Sequence, residues 1–249
     1  MSLAGDYRRQ LSWRSWAAIL DALPSVAGSN VLDLGCAIGD QAVLLTERGA
    51  NVIGIDANEG LLAVARARNI AKAEFRHGDL RSMECEGLVD GIWCSFAAAY
   101  LPDLTPVLVK WRSLLRPGGW IALTEVDDLF AHSPLSPLTA NRLDGYVINA
   151  LAEGWYDFRM GRKLAAFLQH AGFKVTQELT LPDAELAFEG PAQQDVLEAW
   201  RTRFARMKAL QEYCGADFAR VRDGFLSCLQ REDHRAAATV RCCIAVDAC

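Results

Sequence analysis

No stretch of the 249-residue chain approaches the ~18 consecutive apolar residues that a membrane span requires, so no membrane partner is expected. The opening residues, "MSLAGDYRRQLSW", lack the apolar centre of a signal peptide. An excess of basic charge is missing too. Thirty-one Asp and Glu face 26 Lys and Arg, giving a formal net charge of −5. That balance suits neither nucleic acid nor an anionic membrane surface, although a local basic patch can hide in an average. There are eight cysteines (Cys36, Cys85, Cys94, Cys214, Cys228, Cys242, Cys243 and Cys249), and none forms a C-x-x-C pair. A zinc site or a disulfide framework is therefore not expected, and reduced, mostly buried thiols in a cytoplasmic protein are. Cys249, at the terminus, is read as an exposed free thiol. Histidine is scarce, with four residues, and no cluster of histidines or carboxylates suggests a metal. Internal repeats and low-complexity tracts are lacking as well.

What is present is a chain 51% hydrophobic and 23% charged, enough for one sizeable core. Residues 12–23 carry Trp13, Trp16, Ile19, Leu20 and Leu23 at helical spacing, ending at Pro24. Short apolar runs then alternate with helical patterns. "NVLDLG", "NVIGIDA", "AEFRHGDL", the run from Leu88 to Ser95 and "WIALTEVD" read as strands. Apolar on both faces and separated by helices, they imply a parallel sheet covered on both sides. Residues 126–160 read as irregular; a helix, "MGRKLAAFLQHAG", and a strand, "FKVTQELTL", follow. Residues 182–236 read as two amphipathic helices, and "AATVRCCIAVDAC" as a last strand.

The chemistry concentrates in "VLDLGCAIGD", residues 31–40. A strand that turns into a helix through glycines lets the backbone pass close to a ligand and aims free N–H groups at it. Such turns bind dinucleotides and also nucleosides without phosphate. The dinucleotide spacing is G-x-G-x-x-G, whereas this turn reads Gly35-x-Ala37-x-Gly39. Asp33, two residues before Gly35, would repel a pyrophosphate and favours a ligand with a cationic amine. Asp56, ending the second strand, can accept both hydroxyls of a ribose, which fits either kind of ligand.

At this point the chain resembles the class I S-adenosylmethionine-dependent methyltransferases. Their first motif is an acidic residue followed by G-x-G-x-G, and "DLGCAIG" departs from it only at Ala37. Asp56 matches the family's ribose carboxylate, "HGDL" its G-D pair, and "LLRPGGWIAL" its helix, Pro-Gly-Gly turn and fifth strand. The resemblance covers residues 25–125 firmly and "AAFLQHAGFKV" more loosely. It implies a doubly wound, mostly parallel, seven-stranded Rossmann-like α/β sheet, with a final antiparallel strand and a helical cap. It also implies S-adenosylmethionine as cofactor and S-adenosylhomocysteine as product. The turn residues Asp33, Gly35, Cys36, Ala37 and Gly39 would hold the donor with Asp56 and Ala57. Asp79 would take the adenine amino group and the Leu80 N–H the ring. Ser95 and Phe96, ending the fourth strand, and Tyr100 would line the methionine end. Tyr7 would lid the site and Arg14 would meet the donor's carboxylate.

The implied organisation is an N-terminal lid helix (1–24), a binding core (25–125), a cap insert (126–160), a core helix and strand (161–181), a helical cap insert (182–236) and a last core strand (237–249). Asp127, Asp128 and His132, just beyond the fifth strand, are the candidate catalytic residues. The plainer reading of His132, a solvated loop residue, is preferred. His234, in "REDHR", reads as surface. Tyr146, Trp155, Tyr156 and Phe158 could wall an organic substrate or form the core of the cap. Arg201, Arg203, Arg206 and Lys208, interleaved with Glu198 and Glu212, read as a solvated helix face. The expected activity is methyl transfer to O or N of a small organic molecule, by a monomer or homodimer that binds no nucleic acid. The alternatives are a macromolecular methyltransferase and a non-catalytic protein binding the same nucleoside.

Overall fold

Strand and helix alternate from Asn30 onward in the computed structural model, which describes residues 3–248. Cys249 lies outside the described residues. The order is α1 (Leu3–Leu11), α2 (Trp16–Ala22), β1 (Asn30–Leu34), α3 (Asp40–Glu47), β2 (Asn51–Asp56), α4 (Glu59–Ala67), β3 (Ala73–His77) and β4 (Val89–Ser95). There follow α5 (Leu104–Arg112), β5 (Leu115–Asp127), β6 (His132–Ser133), α6 (Pro137–Ala152), α7 (Leu164–His170) and β7 (Phe173–Leu181). The chain ends with α8 (Gln194–Arg206), α9 (Lys208–Cys214), α10 (Phe218–Leu229), β8 (Arg235–Ala236) and β9 (Thr239–Asp247).

Seven strands form one sheet in the order β3-β2-β1-β4-β5-β9-β7. Neighbours from β3 to β5 are parallel, and β9 lies antiparallel between β5 and β7. The expected Rossmann-like sheet with its antiparallel last strand is what the chain forms. Alternate residues of each strand feed opposite faces. Val31, Trp93 and Ala122 pack with Trp16, Leu45 and Leu62 on one face; Leu32, Ile92 and Leu123 pack with Trp111, Leu164 and Leu168 on the other. The first layer continues into a helical cap built on Phe130, Tyr146, Trp200, Phe204 and Phe225.

Three segments differ from the sequence reading. The N-terminal region holds two helices rather than one beginning at residue 12, because Arg14 leaves the helix to bridge Asp183. Residues 126–160 contain the 16-residue helix α6. Ser136 caps it by accepting the Thr139 N–H at 3.2 Å, and Pro137 supplies a helical φ at its first position. The stripe read as one helix through Leu210 breaks at Met207, whose ψ of 71° ends α8 and starts α9 at a new angle.

Candidate functional site

The carboxyl ends of β1 and β4 meet where the strand order reverses, the place at which open α/β sheets bind ligands. A cavity of about 1090 Å³ opens there, walled by Gly35, Asp56, Ser95, the N-terminal helix and the cap. Gly35 and Ala37 turn the chain with φ of 77° and 46°. A Cβ on Gly35 would lie 2.5 Å from the Ala97 Cβ, so only glycine lets β1 and the loop after β4 approach this closely. Asp56 ties the turn to β2. Its Oδ2 accepts the Ala37 N–H at 2.9 Å and its Oδ1 the Asn58 N–H at 2.8 Å. Each oxygen keeps a further lone pair, and the residue faces the cavity. Asp79 also lines the cavity; its Oδ1 accepts the Arg81 N–H at 2.9 Å, so it caps its own turn as well.

Asp33 stands directly behind the turn, 1% exposed, and its Oδ2 has no hydrogen-bond partner among the described residues. Burial, with the charges of Asp56 and Asp40 nearby, pushes its carboxyl up to about 8. A cation in the cavity would stabilise the ionised form. The orphaned carboxylate, the glycine cradle and Asp56 together fit the zwitterionic methionine and the ribose of S-adenosylmethionine.

Tyr7, Arg14, Gly35, Ala37, Asp56, Ala57, Asp79, Leu80, Ser95, Phe96 and Tyr100 all line the cavity, as the sequence reading placed them. Cys36 and Gly39 do not. The Cys36 N–H is taken by the Ile55 carbonyl at 3.2 Å and the Gly39 N–H by the Cys36 carbonyl at 2.8 Å. The three catalytic candidates are corrected by the geometry. Asp127 accepts Arg162 Nε at 2.6 Å, and Asp128 accepts Arg159 Nε at 3.1 Å; both point into ion pairs away from the cavity. His132 is neither solvated nor in the cavity. It is 4% exposed, inside the cap against Trp200, Phe225 and Phe188. His234, read as surface, is fully buried beside it.

The cap aromatics divide. Tyr146 and Phe158 belong to its core, while Trp155 and Tyr156 face the cavity. Tyr100 and Tyr156 pack edge to face with centroids 4.8 Å apart. Arg203 and Arg206, read as a solvated face, line the cavity instead. Arg203 pairs with Glu185, which Arg14 also engages at 3.0 Å, and Arg206 pairs with Asp6. The position of Arg203, three residues after Trp200 on the border of the α8 apolar stripe, was the available clue. Burial pushes the Tyr7 phenol up to about 12 and raises that of Tyr100, so both are proton donors at neutral pH. Carboxylates thus dominate the nucleoside end of the cavity, and phenols and guanidiniums the other.

Residues 31–119 match a family model described as a methyltransferase domain. A ubiquinone biosynthesis O-methyltransferase of Pseudomonas aeruginosa (strain UCBPP-PA14) is 31% identical over 164 residues, which is 63% of this chain and 69% of that protein. The protein of the same description from Marinobacter nauticus is 32% identical over 171 residues, 65% of this chain and 70% of the relative. Among solved structures, a methyltransferase from Bacillus halodurans shares the fold at a TM-score of 0.64, with 17% identity over 94% of this chain and 98% of its own. Phosphoethanolamine N-methyltransferase 2 of Haemonchus contortus, solved with S-adenosylmethionine, aligns at a TM-score of 0.60 and 22% identity, over 93% of this chain and 51% of its own. Fold and turn define a methyltransferase that takes its methyl group from S-adenosylmethionine. The chain belongs to the class I S-adenosylmethionine-dependent methyltransferases.

Proposed function

We propose that the chain methylates a hydroxyl oxygen of a small aromatic molecule. The observation that carries this reading is the cavity's second end, where Tyr7, Tyr100, Trp155 and Tyr156 offer ring faces and edges beyond the nucleoside turn. A drug-sized ligand occupies a pocket of roughly 300–1,000 Å³; about 1090 Å³ accommodates the donor and a compact acceptor together. Relatives described as O-methyltransferases support oxygen over nitrogen.

The donor supplies an electrophilic methyl carbon, and the chain's contribution is to hold an oxygen in line with it and to exclude water. Asp56 would take the ribose hydroxyls, Asp79 the adenine amino group, the Leu80 N–H the ring, and Gly35 and Ala37 the methionine backbone. Arg14, stacked 4.6 Å over the Phe96 ring at the end of β4, would meet the methionine carboxylate. The protonated phenols of Tyr7 and Tyr100 can position an acceptor oxygen but cannot take its proton. An acceptor that ionises readily, a phenol at about 10 rather than an aliphatic alcohol, suits such a site.

The test is incubation with methyl-labelled S-adenosylmethionine and matched panels of phenols, anilines and aliphatic alcohols, with products read by mass spectrometry. Aryl methyl ethers are expected, absent in Asp56→Ala. Label on nitrogen, on protein or RNA, or on none of the panel would overturn the reading.

A further inference from the structure

Four arginines converge on the acceptor end of the cavity: Arg9, Arg14, Arg203 and Arg206. Three carboxylates face them. Arg14 pairs with Asp183 and, at 3.0 Å, with Glu185; Arg203 pairs with the other oxygen of Glu185; Arg206 and Arg9 share Asp6. The two arginines hold the Glu185 carboxyl below the usual carboxylate range, so it is charged and already committed. One guanidinium charge is left over. The excess shows in the donors as well, since Nε of Arg203 and Nε of Arg9 are buried without a hydrogen-bond partner among the described residues.

The methyl donor does not cancel this surplus. Its ammonium and sulfonium outnumber its single carboxylate, so loading the cavity adds positive charge. Arg14 lies over Phe96 at the end of β4, on the donor side. Arg203 lies across the cavity on α8, 25% exposed, with its guanidinium over Trp200 and its field on Tyr7, Tyr100 and Tyr156. An uncompensated guanidinium beside a wall of aromatic edges is a site for a planar anion.

We propose that the acceptor is an aromatic carboxylate, with Arg203 as the residue that selects its carboxylate group. This rests on the small-aromatic reading above and adds the charge of the substrate. Ring and carboxylate are recognised separately: the tyrosines and Trp155 take the ring, and the cavity-facing edge of Arg203 takes the anion.

The test is calorimetry on protein loaded with S-adenosylhomocysteine, comparing 4-hydroxybenzoate, benzoate and phenol. Hydroxybenzoate should bind about tenfold or more tightly than phenol, as a charge-assisted hydrogen bond implies, and benzoate should compete with it. Arg203→Gln should bring hydroxybenzoate and phenol to parity while leaving the affinity for S-adenosylhomocysteine unchanged. Ala199→Asp, one helical turn before Arg203 and also on the cavity wall, should neutralise the guanidinium and have the same effect without removing the arginine from its packing. Parity in the wild-type protein would overturn the carboxylate proposal and leave the aromatic reading standing. A fall in S-adenosylhomocysteine affinity in Arg203→Gln as large as the fall for hydroxybenzoate would assign the arginine to the donor instead, and so overturn it too. Failure of all three aromatics to bind would overturn both readings.

Discussion

The imidazoles of His132 and His234 stack with centroids 5.2 Å apart and planes 21° from parallel, Nδ1 of the first lying 2.9 Å from Nε2 of the second. The tautomers follow from the outer partner. His234 Nδ1 lies 3.0 Å from the Gly190 carbonyl, which can only accept, so that nitrogen carries the proton. Neutral His234 then accepts at Nε2, His132 donates from Nδ1, and His132 Nε2 is left as a buried lone pair without a partner. The pair pins β6 and β8 beneath α8 and α10, and its function is to hold the cap.

Replacing His132 should therefore cost stability and spare binding. His132→Ala opens a cavity among Trp200, Phe225 and Phe188 and strands His234 Nε2, a loss of about 2 kcal/mol or more. The affinity for S-adenosylhomocysteine should not change. Burial, with His234 adjacent, presses the His132 imidazole down from 6.5 to about 3. A base with a depressed folded-state value contributes stability that is complete above 6.5 and is lost as the pH falls toward 3. The wild-type melting temperature should drop on acidification from pH 7 to 5, and the drop should be shallower in His132→Ala. An unaltered slope, or a variant that stops binding, would return the histidine to the site.

Asp33 makes donor binding a proton-linked event. Its carboxyl, raised to about 8, is mostly protonated in the free protein at pH 7. A ligand ammonium near the turn favours the carboxylate, so binding should expel a proton. Calorimetry with S-adenosylhomocysteine at pH 7 in phosphate and in Tris should then give heats that differ with the buffer's ionisation enthalpy, and affinity should rise with pH until about 8. Asp33→Asn should abolish both effects. Buffer-independent heats in the wild-type protein would contradict this account.

The two small residues of the turn should respond in opposite ways. Ala37 sits at φ 46°, where a Cβ is strained. Ala37→Gly relieves that strain at some cost in unfolded-chain entropy, for a net gain of up to about 1 kcal/mol, or roughly 2–4 °C in a chain of this size. Gly35→Ala adds a Cβ at φ 77° that would stand 2.5 Å from the Ala97 Cβ. That change should lower the melting temperature and remove S-adenosylhomocysteine binding, because the loop carrying Ser95 and Phe96 must move. Thermal melts with and without ligand read both results.

The parts of the site legible in the sequence are those whose spacing is local. Asp33, Gly35, Asp56 and Asp79 each sit at a strand end, and the period-2 apolar runs before them locate those ends. The acceptor end is built otherwise. Arg14 and Arg203 meet only because each takes one oxygen of Glu185, a residue in a loop far from both in the chain. Periodicity places Arg203 on the polar side of α8 and cannot say that α1 and the cap close over it. His132 and His234 have charged or loop-like neighbours in sequence, and tertiary packing alone buries them. Helix α6 was hidden because its Pro137, which reads as a breaker, stands at the first helical position where proline is favourable.

Glu125 joins the sheet to the acceptor wall, and its protonation state can be tested directly. The residue is fully buried in β5; its Oε1 accepts the Ala99 N–H at 2.9 Å, and the Ala99 carbonyl accepts the Asp157 N–H at 2.8 Å. Ala99 precedes Tyr100 and Asp157 follows Tyr156, so this relay sets the spacing of the two tyrosines that face each other across the cavity wall. Burial pushes the Glu125 carboxyl up to about 8, against the backbone N–H groups that favour its ionisation. An acid with a raised folded-state value contributes stability that is complete below its ordinary value and is lost as the pH rises through about 8. Glu125→Gln copies the protonated form, so its melting temperature should equal that of the wild type near pH 6.5. Above pH 8 the variant should become the more stable of the two. Glu125→Ala deletes the acceptor for Ala99 and should cost about 2 kcal/mol at every pH. It should weaken acceptor binding while leaving S-adenosylhomocysteine affinity intact, since Glu125 touches none of the nucleoside turn. Parallel melting curves for wild type and Glu125→Gln from pH 6 to 9 would show that the carboxyl is ionised throughout, and that the relay is held by charge rather than by a neutral acid.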